Sequence, residues 1–240
     1  PNLGLTGTGQ EVSIMRSTLV RTGVIENAAG DIKINLNPSQ NPMIGNMLGE
    51  IKAFIGMARE KGCQSFASLY ETLCSPEGGI ALRRELVPIY LAAVLHEYKQ
   101  QIIIKDRFGQ VAITAETIMQ INALPEKYQL EYIDWNPDKV EFVQRMESVF
   151  CDAIVGAEKN ASPYDYIISA MKRWYVSLPK YVKEMKTAPD GKRIDKGYAG
   201  FIRLLRQNPS GHEFLFQAIP QAFGYSGFVV GVADNISGAK

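Results

Sequence analysis

Histidine and cysteine, the side chains that most often carry catalysis or bind metal ions, are few and widely spaced in this chain. Its 240 residues contain only His96, His212, Cys63, Cys74 and Cys151. None of them stands at the short spacing that a zinc site requires. We expect His96 to be a structural histidine within an apolar helix, His212 to lie at a helix start, and the cysteines to be buried free thiols. The sequence therefore predicts no metal site and no cofactor.

Carboxylates and glycines do not indicate a reaction either. Glu141, Glu147 and Asp152 follow one another at spacings of six and five residues, which do not place them on one face of a helix. A solvated acidic face is the expected role. The chain contains neither GxxxxGK[ST] nor a GxGxxG that follows a strand, and its glycines at 4, 7 and 9 lack the lysine of a phosphate-binding loop. We predict no catalytic residue and no ATP hydrolysis by this chain alone.

Positive charge is concentrated in one segment, residues 163–207. This segment holds ten Lys and Arg and four Asp and Glu, a net charge of +6, whereas residues 1–162 have a net charge of −4. Attraction for phosphate is therefore expected mainly in this segment, with a contribution from a predicted hairpin at residues 102–113. The candidate nucleic-acid-binding residues are Lys172, Arg173, Lys180, Lys183, Lys192, Arg193, Arg203, Arg206, Lys105 and Arg107.

Aromatic residues are interspersed with these cations. Trp174, Tyr175, Tyr181 and Tyr198 would be able to stack on bases if they were exposed. The alternative is that Trp174, Leu178 and Tyr181, which follow helical spacing, belong to the core and leave the lysines as an ordinary solvated face. The sequence alone leaves both interpretations open.

Apolar periodicity, glycine and proline predict the elements that position these residues. Residues 81–101 form a long apolar helix, and Pro88 favours either an irregular start or a helix that begins at Pro88 itself. Ser65, Thr114 and Asn136 are expected to cap helices. Helices are predicted at residues 12–22, 46–60, 66–73, 81–101, 115–124, 138–155, 163–177, 180–185, 194–206 and 212–222. Strands are predicted at 24–26, 31–36, 102–104, 111–113 and 128–132.

The predicted fold is mainly α with small β-ribbons. A helix followed by a hairpin occurs near residues 10–36 and again near 81–113, and each resembles part of a winged helix. We divide the chain into a helix-hairpin and helical pair at 1–76, a winged-helix-like module at 77–160 and a basic helical subdomain at 161–240.

Four stretches carry a resemblance to a known class of proteins: RSTLVRTGVIE, LRRELVPIYLAAVLHEYKQQIIIKD, YQLEYIDWNPDKVEFVQRMESVF and KRWYVSLPKYVKE. They resemble regions of very large bacterial P-loop ATPases of anti-phage defence loci, of the BREX-like kind. The resemblance implies a piece that follows the nucleotide-binding core, where winged-helix and helical domains transmit nucleotide state or hold partners. The P-loop itself is absent from this chain, so the resemblance transfers no ATPase residue.

The function expected from these observations is that of a non-catalytic interaction or regulatory domain of a larger ATP-dependent defence protein. It would bind a protein partner, another domain of its parent, or DNA. The alternative is a stand-alone nucleic-acid-binding module that acts through residues 163–207. The chain starts at Pro1 without an initiator Met, and we expect a fragment of a longer protein. No apolar run reaches the roughly 18 residues that span a bilayer, so a cytoplasmic protein without a membrane partner is expected.

Overall fold

The fold is mainly α-helical with small antiparallel β-ribbons, and the predicted fold class is confirmed. A computed structural model describes residues 7–28, 31–38, 41–78, 80–160, 162–185, 187, 194–209 and 211–238. The chain forms two compact units, Pro1–Asp134 and Trp135–Lys240. No helix within the described ranges combines the length and the apolar character needed to cross a membrane.

The first unit begins with a helix and a hairpin, as predicted. Helix α1 (Gln10–Met15) continues into a turn of π-helix, Arg16–Val20. Gly23 then adopts a φ of +76°, a left-handed conformation that glycine reaches without steric cost. Strands β1 (Ile25–Ala28) and β2 (Asp31–Ile34) pair antiparallel in a separate two-stranded sheet.

Two helices follow this hairpin, and individual residues mark where the first ends and the second begins. Helix α2 (Pro42–Lys61) ends at Gly62, and helix α3 (Phe66–Cys74) begins after Ser65. The Ser65 hydroxyl oxygen accepts a hydrogen bond from the Ala67 backbone N–H at 3.3 Å, so the predicted cap is confirmed. The structure adds strand β3 (Gln64–Ser65) between these helices, which the sequence analysis does not predict.

Helix α4 (Val87–Glu97) is the predicted central apolar helix, but it is shorter than expected. It begins at Val87, next to Pro88, so the start near Pro88 is confirmed and the start at residue 81 is wrong. Pro88 supports a helix only within its first turn, and residues Arg84–Leu86 form a 3₁₀ turn before it. Leu91, Val94 and Leu95 are completely buried. Helix α4 thus lies in the hydrophobic core of the first unit.

A four-stranded antiparallel sheet completes the first unit, in the order β3-β6-β4-β5. Its longer strands are β4 (Ile102–Asp106), β5 (Gly109–Val111) and β6 (Gln129–Tyr132), and helix α5 (Ala115–Ala123) connects β5 to β6. The predicted hairpin is present, but β6 pairs with both β3 and β4. Since β6 lies between β3 and the hairpin, the winged-helix resemblance is not confirmed.

The second unit consists of helices. They are α6 (Pro137–Val149), α7 (Pro163–Ser177), α8 (Lys180–Glu184), α9 (Lys196–Arg206), α10 (Ile219–Ala222) and α11 (Val232–Ser237), with a π-helical turn at Phe214–Ala218. Helix α6 ends at Val149, earlier than the predicted residue 155, and two short 3₁₀ turns follow. Helix α11 lies in a Gly-rich stretch for which the sequence analysis predicts no helix.

Aromatic rings form much of the core of the second unit. Phe142 and Phe216 are buried with ring centroids 5.9 Å apart, and Trp135 contacts Phe216 edge to face at 5.9 Å. Neither predicted division, after residue 76 or after residue 160, coincides with the boundary between the two units. Helices α2 and α3 share one hydrophobic core with α4, and α6 packs against α7, so both predicted cuts fall inside a packed unit.

Candidate nucleic-acid interface

A groove in the second unit collects several of the predicted cations. Helix α7 ends at Ser177, and Pro179 prevents this helix from continuing. Pro179 is also the N-cap residue of α8, which forms one wall of the groove. The groove between α8 and α9 has a volume of about 470 Å³. Its lining residues are Val182, Lys183, Glu184, Met185, Ile194, Tyr198, Ala199, Ile202, Arg203 and Arg206. We call this site the α8–α9 groove.

Helix α9 presents its arginines because its opposite face is buried. Phe201 and Leu205 are buried in the second unit, whereas Arg203 and Arg206 are exposed. These arginines stand three residues apart and are therefore neighbours on the helix surface. They also lie in the last turn, where the partial negative charge of the helix end favours cations.

Asp195 fixes the start of the same helix. One carboxylate oxygen of Asp195 accepts hydrogen bonds from the backbone N–H groups of Gly197 and Tyr198 at 2.8 and 3.1 Å. Gly197 is required at this position, since a Cβ atom would lie 2.3 Å from the ring of Phe223. The capped start and the buried face together hold α9 as one wall of the groove.

Tyr175, near the end of α7, positions two cations of the groove. The Lys183 ammonium lies 4.8 Å from the centre of the Tyr175 ring, and it donates a hydrogen bond to the Val176 carbonyl at 3.0 Å. Hydrogen bonding to Tyr175 also raises the pKa of the Arg206 guanidinium above its usual value. Tyr175 therefore reduces the freedom of Lys183 and Arg206 before any ligand binds.

Lys180 and Tyr181 extend the surface along α8. Both side chains are exposed, and Tyr181 retains 68% of its accessible surface. The interpretation of Tyr181 as a core residue is therefore wrong. Trp174, in contrast, packs against Phe150 and Phe201 with centroid distances of 5.5 and 6.2 Å, although its side chain is only partly buried.

Two of the predicted phosphate-binding residues are engaged elsewhere. Arg173 holds both carboxylate oxygens of Glu158, at 2.8 and 2.5 Å, and donates to the Ala153 carbonyl at 2.7 Å. Hydrogen bonds from Arg173 lower the pKa of the Glu158 carboxyl. Lys172 is half-buried, and its pKa is lowered by burial, an effect that the nearby Asp165 opposes. Lys172 and Arg173 are therefore not the freely solvated cations that phosphate binding requires, because both lie on a helix that packs much of its surface into the core.

Four predicted residues remain: Lys192, Arg193, Lys105 and Arg107. Lys192 and Arg193 lie outside the described residues. Lys105 and Arg107 belong to the first unit, where Lys105 pairs with Glu131 at 2.5 Å. Arg107 is exposed at the tip of the β4–β5 hairpin. The structure thus brings together Lys183, Arg203 and Arg206, with Lys180 on the same short helix.

A second groove lies beside that hairpin in the first unit and has a volume of about 790 Å³. Phe108 at the hairpin tip is 81% exposed, and the Arg107 guanidinium lies 4.4 Å from the centre of its ring. Leu124 lines the same groove and is also exposed. We call this site the hairpin groove. Phe108 is not among the predicted site residues, although an aromatic residue in a predicted turn indicates an exposed ring.

The residues first considered for chemistry are dispersed. His96 lies on the apolar helix α4, as predicted, but it is exposed because the last turn of this helix is open to solvent. Cys63 and Cys151 are exposed and Cys74 is half-buried, so the predicted burial of the thiols is wrong. Glu141 pairs with Arg145, while Glu147 accepts a hydrogen bond from the Tyr166 hydroxyl. In the part of the chain that the structure describes, no three His, Cys, Asp or Glu side chains cluster as metal ligands would.

The fold and this geometry define a mainly α-helical protein whose described residues form a cationic surface groove and a partly apolar one. Comparison with known proteins does not narrow this class further. No family model matches the chain, and neither a curated protein nor a solved structure matches it.

Proposed function

We propose that the chain is a non-catalytic interaction module whose α8–α9 groove binds the phosphate backbone of nucleic acid. The observation that carries this proposal is the convergence of Lys183, Arg203 and Arg206 on one concave surface, with Lys180 beside them. Guanidinium groups match phosphate oxygens in geometry and charge. Glu184 is the acidic residue among the residues that line this groove, so positive charge predominates there.

Preorganisation of the cations strengthens this proposal. Lys and Arg side chains lose rotamer freedom when they bind a ligand, and this loss opposes affinity. Tyr175 already restricts Lys183 and Arg206 in the free protein. Each phosphate contact also releases condensed counterions, so binding through this groove is expected to weaken steeply as salt concentration rises.

Charge reversal of the exposed cations tests the proposal. Replacing Lys180, Arg203 and Arg206 together by Glu is expected to weaken binding of a labelled oligonucleotide at least tenfold and to flatten its salt dependence. Fluorescence anisotropy at several salt concentrations measures both effects. Lys172 and Arg173 stay unchanged because both are partly buried and Arg173 holds Glu158 and the Ala153 carbonyl.

The matched control carries the same change in total charge on the first unit. Arg21, Lys61 and Arg83 are exposed there, and their replacement by Glu is expected to leave affinity within about twofold, since none of them lines the α8–α9 groove. Equal losses in the two triple variants would assign binding to net charge and would contradict the groove proposal.

The wider biological setting rests on the resemblance to defence ATPases. On that basis we place the module in a larger ATP-dependent bacterial protein, in the cytoplasm, where reduced thiols such as the exposed Cys63 and Cys151 are stable. The module would then report or transmit nucleotide state while the parent's own P-loop domain hydrolyses ATP.

The hairpin groove favours a second candidate function, contact with another domain of the parent or with a protein partner. Its support is the exposed Phe108 together with Leu124, because exposed aromatic and aliphatic side chains around a concavity are typical of protein-binding sites. Arg107 restrains the Phe108 ring, which lowers the entropy lost on binding.

Hydrogen–deuterium exchange tests this second function on the parent protein. Backbone amides of residues 105–108 and 120–129 are expected to exchange more slowly in the full-length parent than in the isolated chain, because a contacting domain would exclude solvent from the hairpin groove. Residues 42–61 serve as the internal control, since much of α2 is already buried within the first unit. Identical exchange of the groove amides in both proteins would exclude a stable domain contact there.

A further inference from the structure

Two exposed apolar side chains lie on α7 and α8, outside the lining of the α8–α9 groove. Tyr181 on α8 is 68% exposed, and Val176 near the end of α7 is 72% exposed. The hydrogen bond from the Lys183 ammonium to the Val176 carbonyl, at 3.0 Å, brings α8 alongside the end of α7. Cationic and apolar surface are therefore adjacent at this side of the second unit.

Tyr181 differs from the other described aromatic residues of the basic segment in the exposure of its side chain. Among the aromatic side chains that the structure describes in residues 163–207, Tyr164, Tyr166 and Phe201 are buried, and Trp174, Tyr175 and Tyr198 are partly covered. Tyr181 alone of this described set is exposed. It directly follows the exposed Lys180, so the short helix α8 presents both an open ring and an open cation, on different sides of its surface.

We propose that the groove selects single-stranded nucleic acid, with Tyr181 stacking on an unpaired base while Lys180, Lys183 and Arg203 contact phosphates. This inference rests on the proposed nucleic-acid function and adds its substrate class. Every base has a flat π-face that an aromatic ring can cover, but only an unpaired strand leaves that face accessible to a protein side chain. A duplex would offer the groove its phosphates alone.

Three labelled ligands of equal length separate stacking from phosphate contact. They are an oligothymidylate, a strand of the same backbone whose sugars carry no bases, and a duplex. Fluorescence anisotropy of the wild-type chain is expected to give about tenfold tighter binding of oligothymidylate than of the abasic strand, in the range of one base–aromatic stack. Tyr181→Ala is expected to remove this difference, and Tyr181→Phe to retain it because the ring remains.

Two controls accompany these variants. Met43→Ala removes an exposed apolar side chain from the first unit and is expected to leave all three affinities unchanged. Affinity of Tyr181→Ala for the abasic strand and the duplex is expected to stay within about twofold of wild type, since phosphate contacts are retained. Far-UV circular dichroism checks that each variant is folded.

The outcomes separate this inference from the proposed function. Equal wild-type affinity for oligothymidylate and the abasic strand, with both lost in the Lys180, Arg203 and Arg206 triple variant, would overturn stacking and leave phosphate binding intact. Undiminished binding by the triple variant would overturn the groove function itself. Binding to anionic lipid vesicles without binding to any of the three nucleic acids would overturn both.

Discussion

Replacing Leu95 by Ala is expected to lower the free energy of unfolding of the first unit by about 2–5 kcal/mol. Leu95 is completely buried on α4, within the hydrophobic core that α4 shares with α2 and α5. The substitution removes the transfer free energy of the side chain and leaves a cavity, because close-packed neighbours relax only partly. Urea unfolding followed by far-UV circular dichroism measures the loss.

The neighbouring His96 supplies a matched control for this change. It follows Leu95 on the same helix but is exposed, so His96→Ala is expected to alter the unfolding free energy by no more than about 0.5 kcal/mol. A loss below about 1 kcal/mol for Leu95→Ala would show that α4 is peripheral to the core. Equal losses for both variants would show that the effect arises from the helix backbone.

Helix boundaries were predictable where the signal is local. A cap requires only a side chain and a backbone N–H two or three residues away, so the residue type at one position is informative. The Thr114 hydroxyl oxygen accepts from Thr117 N–H at 3.1 Å, and the Asn136 side-chain oxygen accepts from Lys139 N–H at 3.0 Å. Both predicted caps are therefore confirmed.

Strand pairing was not predictable from the same information. The alternation of Tyr128, Leu130 and Tyr132 correctly indicated a strand, but not which strands it would join. In the structure Leu130 lies opposite Ile104 in β4 and also opposite Gln64 in β3. Such pairings join residues far apart in sequence and depend on which apolar faces meet in the core, and a single pattern of alternating residues does not specify this.

The composition of the basic segment predicted its charge but not the role of each cation. Lys180 and Arg173 look alike in the sequence, yet Lys180 is exposed and Arg173 holds Glu158, fifteen residues away in the chain. The role of Tyr175 in restraining Lys183 likewise depends on α8 folding back beside α7. These roles follow from tertiary packing. Charge density along the sequence was therefore enough to locate the candidate site, but not to show which cations are exposed and which are held by other side chains.

The second unit depends on a cluster of aromatic rings, and the largest loss of stability there is expected for Phe142→Ala. Phe142 is completely buried on α6, and its ring centre lies 5.9 Å from that of Phe216 and 5.4 Å from that of Phe228. Phe216 and Phe228 also contact each other edge to face at 5.2 Å. Removal of Phe142 therefore deprives both neighbours of a packing partner.

We expect Phe142→Ala to lower the free energy of unfolding of the second unit by about 3–5 kcal/mol, from lost apolar burial, a residual cavity and two lost aromatic contacts. Tryptophan fluorescence is a suitable measurement, because both tryptophans, Trp135 and Trp174, lie in this unit, and Trp135 contacts Phe216. Phe142→Leu, which keeps most of the apolar volume, is expected to lose less than Phe142→Ala.

Phe108→Ala is the control for the chemical change itself, since the same ring is removed from a position that is 81% exposed. Its unfolding free energy is expected to stay within about 0.5 kcal/mol of wild type. If Phe142→Ala lost less than about 1 kcal/mol, or no more than Phe108→Ala, the aromatic cluster would not be the main support of the second unit. The stability of that unit would then have to come from the aliphatic residues of α7 and α9, which also hold the walls of the proposed binding groove.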